Sequence, residues 1–130
     1  MKQIVNSPSE INGKRVVQNP LEIMNALSSG ETIYHWEYGD SLSPLINNGE
    51  YIQIQPCKPS DVKVGDCIFC LVEDFYGNLQ LMVHQVLMIS DASHDGELWF
   101  KIGTTSNEIF GWAKKVYGIA KGTNIFQEGT

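Results

Sequence analysis

The chain has 130 residues, 42% hydrophobic and 18% charged, enough to bury one core without cross-links and consistent with a single ordinary globular domain. Its formal net charge of −6 excludes a surface built for nonspecific phosphate binding. Arg15 is the lone arginine, and only Lys14-Arg15 and Lys114-Lys115 are adjacent basic pairs, so direct contact with nucleic acid is not expected. No apolar run approaches a membrane span, and the first residues lack the apolar stretch of a signal peptide. A soluble, cytoplasmic protein is the expectation.

Residues 1–18 contain short apolar pieces broken by Pro8 and Gly13, and read as an N-terminal arm or edge strand. Asn19-Pro20-Leu-Glu22 then opens the clearest helix, about 20–29. Asn19 suits the N-cap, Pro20 the first turn, Glu22 a capping box and Gly30 the C-terminal stop. Leu21, Met24 and Leu27 are expected to share its buried face. Beyond Gly30 the pattern turns to strands. Thr32–Tyr38 alternates and is aromatic-rich, Ser43-Pro44-Leu-Ile46 suggests a short helix opened by proline, and Tyr51–Ile54 forms a strand ended by Pro56.

Val64-Gly-Asp66 introduces a strand over 67–73, Gly77-Asn78 supplies a hairpin turn, and 79–90 is a long strand containing His84. Asp95-Gly96 marks a further turn, followed by strands at 98–102 and 115–120. The expected organisation is an arm (1–18), one mainly β domain (19–122) and a loose tail (123–130). Three cysteines without a secretion signal suggest free thiols. Cys67-x-x-Cys70 with Cys57 and His84 has ligand types suited to zinc, but in a strand positions three apart face opposite sides, which favours buried thiols.

The chemistry concentrates in Gly39-Asp-Ser-Leu-Ser-Pro44 and, 43 positions after Ser41, in Leu81-Met-Val-His-Gln-Val-Leu-Met88. A hydroxyl on a tight turn and an imidazole in a strand are the parts of a serine nucleophile and its base. Gly-Asp-Ser is also an ordinary turn composition, and a lone strand histidine is often a core residue. Taken in order with Pro44 and Gly65-Asp66, these elements resemble the superfamily of LexA-type repressors, UmuD-type proteins and signal peptidases. The likeness runs over roughly residues 36–120. Val83-His84-Gln-Val86 is similar to the His-Arg-Val element of the archaeal and endoplasmic-reticulum signal peptidases, with Gln85 in place of arginine.

The resemblance implies a coiled, mostly antiparallel β-sheet domain with one N-terminal helix. It implies Ser41 as nucleophile, His84 as base, and the backbone N–H groups of Ser41 and Asp40 facing an oxyanion. A peptide or protein substrate would lie along the groove as an added strand. No metal or cofactor is implied, and a homodimer is expected by analogy with relatives. Thr104 and Phe110 stand where that branch carries the acids that orient the histidine, leaving Thr104 or Glu108 as candidate orienting residues. His35 and His94 lie outside the motif. The rival expectation is a catalytically weak or inactive peptide-binding module on the same fold, a role suited to a small stand-alone chain of phage or mobile-element origin.

Overall fold

A computed structural model describes residues 2–91 and 98–128; the Asp95-Gly96 turn and His94 lie outside them. The elements are β1 (Gln3–Val5), β2 (Glu10–Ile11), β3 (Lys14–Arg15), α1 (Pro20–Ser28), β4 (Ile33–Trp36), β5 (Glu50–Pro56), β6 (Cys67–Glu73), β7 (Leu79–Ser90), β8 (Trp99–Gly103) and β9 (Ile109–Gln127). The domain is mainly β with one α-helix, and its sheet is antiparallel apart from β1, which runs parallel to the end of β9.

Alternating burial along β6 explains how one sheet serves two cores. Cys67 and Phe69 point into a core roofed by α1, whereas Ile68, Cys70 and Val72 point into a second core with Val86, Phe100 and Ile102. A strand buried on both faces reads as an unbroken apolar run, as 67–72 does. The second core is enclosed because β6 pairs with β7, β7 with β8, β8 with β9, and β9 returns to β6. Those four strands close into a small barrel. The far half of β9 leaves it to pair with β5, which carries β4 at its other side.

The helix forms where expected. Asn19 caps it by accepting from the N–H groups of Leu21 (2.9 Å) and Glu22 (3.2 Å). Its buried stripe is Ile23, Ala26 and Leu27, and Leu21 faces solvent at 59% exposure, correcting the expected face. The tail is also corrected. Residues 123–127 belong to β9, with Ile125 buried against Tyr34 and Tyr51, so the chain is anchored to Gln127 rather than loose from 123. Around Pro44, residues 41–45 form turns with a cis Ser43–Pro44 bond instead of a helix. Cys67 and Cys70 lie in different cores, and burial pushes the Cys67 thiol up to about 11 and Cys70 higher still.

Candidate active site

Ser41 sits in an exposed turn between β4 and β5. The turn is fixed at both ends. Gly39, at φ +91°, donates its N–H to Asn48 Oδ1 (2.8 Å), and Ser43 N–H bonds the Asp40 carbonyl (3.1 Å). Leu42 and Ile46 anchor it by entering the core under α1. The Ser41 hydroxyl makes no hydrogen bond within the described residues, and neither do the backbone N–H groups of Asp40 and Ser41.

A buried carboxylate ties this turn to the sheet. Glu50, 4% exposed, accepts from Asn47 N–H through one oxygen (2.9 Å) and from Asn124 N–H through the other (2.6 Å). It thereby links the 41–49 loop to the end of β9. The clamping role of Glu50 emerges only from the fold.

His84 lies on β7 opposite Ile68, and its ring shares the barrel-facing side of that strand with Val86. It packs against Phe110, ring centres 4.3 Å apart. Its Nδ1 is buried without a hydrogen-bond partner among the described residues, and burial pushes the imidazole down to about 4. His84 is therefore neutral at pH 7, as a proton acceptor must be. A base held that low gains little from taking a serine proton, because general-base efficiency peaks when the pKa lies near the working pH.

No hydrogen bond joins Ser41 and His84, but one turn connects their surroundings. Thr105 donates its N–H to the Ser41 carbonyl (3.0 Å) and its hydroxyl to the Ser43 carbonyl (2.6 Å). Two residues earlier, Gly103 pairs with Gln85, the neighbour of His84. A side chain at Gly103 would strike the Glu108 carbonyl, so glycine is what allows this turn to fold back on itself.

The expected orienting residues do other work. Thr104, 3% exposed, accepts from the N–H groups of Ser106 (3.2 Å) and Glu108 (3.1 Å), and its hydroxyl bonds that of Ser106 (2.9 Å). It stabilises its own turn and makes no bond to the imidazole. Glu108 is exposed and its backbone closes the same turn. Phe110 is the residue that touches the ring, with an apolar face where an acid would donate charge. Thr104→Val should accordingly lower stability by about 1–2 kcal/mol, since two backbone N–H groups lose a buried acceptor. Thr104→Ser should be near neutral; chemical denaturation of both variants measures the difference.

Glu37, unmarked by any sequence motif, lies at the root of the Ser41 turn. Its N–H donates to the Glu50 carbonyl (3.0 Å), and its carbonyl accepts from Gly49 N–H (2.8 Å). Its Oε2 is buried without a hydrogen bond, 3.7 Å from His35 Nε2, and burial raises the carboxyl to about 7. His35 Nδ1 contacts the Val17 carbonyl (2.9 Å), and burial keeps its imidazole below the ordinary value. The signal visible in sequence was the alternation His35-Trp-Glu37, which places both polar side chains on one strand face.

Because the folded chain holds the Glu37 proton above the ordinary value of 4.5, the associated stability is complete below pH 4.5. It is lost as pH rises through 7. For His84 the order reverses: stability is complete above pH 6.5 and falls as pH drops toward 4. Glu37→Gln mimics the protonated acid, so at pH 8 it should exceed the wild type by about 2 kcal/mol, allowing for partial exposure. Near pH 4.5 the two should be equal. Urea unfolding at both pH values measures it.

In comparisons with protein-family models, characterised proteins and solved structures, nothing matches the chain.

Proposed function

We propose that this is a serine-peptidase-like domain of the LexA and signal-peptidase type that takes an extended peptide, with Ser41 as nucleophile and His84 as base. The observation that carries the reading is the 103–105 turn, which bonds the Ser41 carbonyl at one end and pairs beside His84 at the other. In this scheme Ser41 Oγ attacks the scissile carbonyl and His84 takes its proton. The unengaged N–H groups of Asp40 and Ser41 face the developing oxyanion. His84 then returns the proton to the leaving amine, and water releases the acyl group from Ser41. Turnover is slow, because among the described residues no carboxylate meets His84 Nδ1 to hold the ring or stabilise its charged form.

The second reading, a module that binds peptide without cleaving it, is favoured by one observation. Phe110 packs on the imidazole, and among the described residues its Nδ1 has no hydrogen-bond partner. A serine-directed fluorophosphonate separates the two. Slow labelling at Ser41, absent in Ser41→Ala and reduced in His84→Ala, supports the peptidase. Absence of labelling in the wild type, with peptide binding retained, supports the module.

A further inference from the structure

On the outer face of the barrel, away from His84, three strands set a charged and aromatic row. Trp112 of β9 pairs with Glu73 of β6 on one side and Lys101 of β8 on the other. Trp99 stands two residues before Lys101 on the same face of β8. Its ring meets that of Trp112 nearly at a right angle, 72° between planes and 6.0 Å between centres. Two perpendicular rings enclose a corner in which one small group can rest on both faces.

That corner opens into a cleft of about 250 Å³ lined by Glu73, Asp74, Phe75, Trp99, Trp112 and Lys114, among others. Trp99 is 47% exposed and Phe75 is 73% exposed. With Trp112 they line one cleft, and contiguous exposed apolar surface, unlike scattered single residues, marks interaction sites.

The charges decide what kind of group fits. Lys114 Nζ is 2.8 Å from Glu73 and neutralises it. Asp74 accepts from Tyr76 N–H, Asn78 N–H and the Asn78 side-chain amide, which hold its carboxyl below the ordinary range and so ionised. The acids and lysine lining the cleft thus leave one negative charge, which the neighbouring Lys101 ammonium offsets as long as it stays at the Trp112 ring. A cation already lies against one of these rings: Lys101 Nζ is over Trp112, 5.8 Å from its centre. Ring faces carry negative potential, and weakly hydrated organic cations gain most from them.

We propose that the Trp99–Trp112 corner is a binding site for a quaternary ammonium group, as carried by choline or trimethyllysine, with Lys101 as its internal competitor. A methylated ammonium has no N–H for a carboxylate to accept from. Aromatic faces with a nearby diffuse negative charge suit it better than a salt bridge does. The Lys101 ammonium must leave the ring for the ligand to enter, so removing it should tighten binding.

The test follows the indole Nε1–H resonances of Trp99 and Trp112 by NMR while tetramethylammonium chloride is added, with sodium chloride as control. Saturable shifts with a dissociation constant of about 1 mM are expected. Trp112→Ala should abolish binding, and Lys101→Met should tighten it by about 3–10-fold, the scale of one exposed cation–aromatic contact. Dimethylbutanol, the uncharged isostere of choline, should not bind. Choline and a trimethyllysine peptide, titrated separately, identify the source by which binds more tightly. The proposal is overturned by shifts no larger than those of sodium chloride, by equal binding of the neutral isostere, or by Lys101→Met leaving affinity unchanged.

Discussion

Glu50→Ala should destabilise the domain by about 3–4 kcal/mol, because two backbone N–H groups lose charge-assisted bonds in a buried setting. The donors lie on different parts of the chain, Asn47 before β5 and Asn124 near the end of β9. Removing the carboxylate therefore releases the Ser41 turn as well as weakening the sheet. For a domain of this size the melting temperature should drop by about 10 °C. Glu50→Gln keeps one acceptor oxygen and should lose about half as much. A full loss in Glu50→Ala with none in the isosteric Glu50→Gln would point to side-chain volume rather than the two bonds as the cause.

Phe110→Asp should shift His84 by about two pKa units or more, from about 4 to the neutral range. Phe110 is the ring contact of His84, so an acid there replaces an apolar cover with a charge that favours imidazolium. The same change supplies the missing partner for Nδ1 and brings the base to a pKa suited to neutral catalysis. Peptide hydrolysis should rise by about 10–100-fold, a fraction of what the orienting acid supplies in an intact triad. Two-dimensional NMR of the imidazole across pH 4–8 reads the first effect, and circular dichroism confirms the fold. A pKa that moves without a gain in hydrolysis would show that orientation of His84 is not what limits turnover.

The parts legible in the sequence were those where local and tertiary preferences agree. Strands 67–73 and 79–90 have the expected bounds because both are long β-branched and aliphatic runs closed by turn residues. The helix was marked by Asn19 and Pro20, although Leu21 drew attention to a face that the chain leaves in water. β9 was underestimated because Gly111, Gly118 and Gly122 interrupt its apolar pattern. In the structure those glycines permit close approach: a side chain at Gly111 or Gly118 would collide with the Glu73 or Gln55 carbonyl.

The site divides in the same way. Ser41 and His84 stood out because a turn hydroxyl and a strand imidazole are local features. The interactions that govern them are not local. Glu50 reaches Asn124, Phe110 reaches His84, and Thr105 reaches Ser41 across 64 positions. The place of Thr104 in the sequence, where the resemblance implies an acid, suggests a residue facing the imidazole. Its hydroxyl is instead captured by the N–H groups two and four residues ahead, a bond that threonine forms readily in a tight turn.

The most direct measurement is mass spectrometry of an unstructured peptide mixture incubated at pH 7.5 with wild type, Ser41→Ala and His84→Ala. New termini that appear with the wild type, vanish with Ser41→Ala and fall sharply with His84→Ala are the predicted result. Identical peptide profiles for all three proteins, with each shown to be folded, would contradict a Ser41–His84 peptidase.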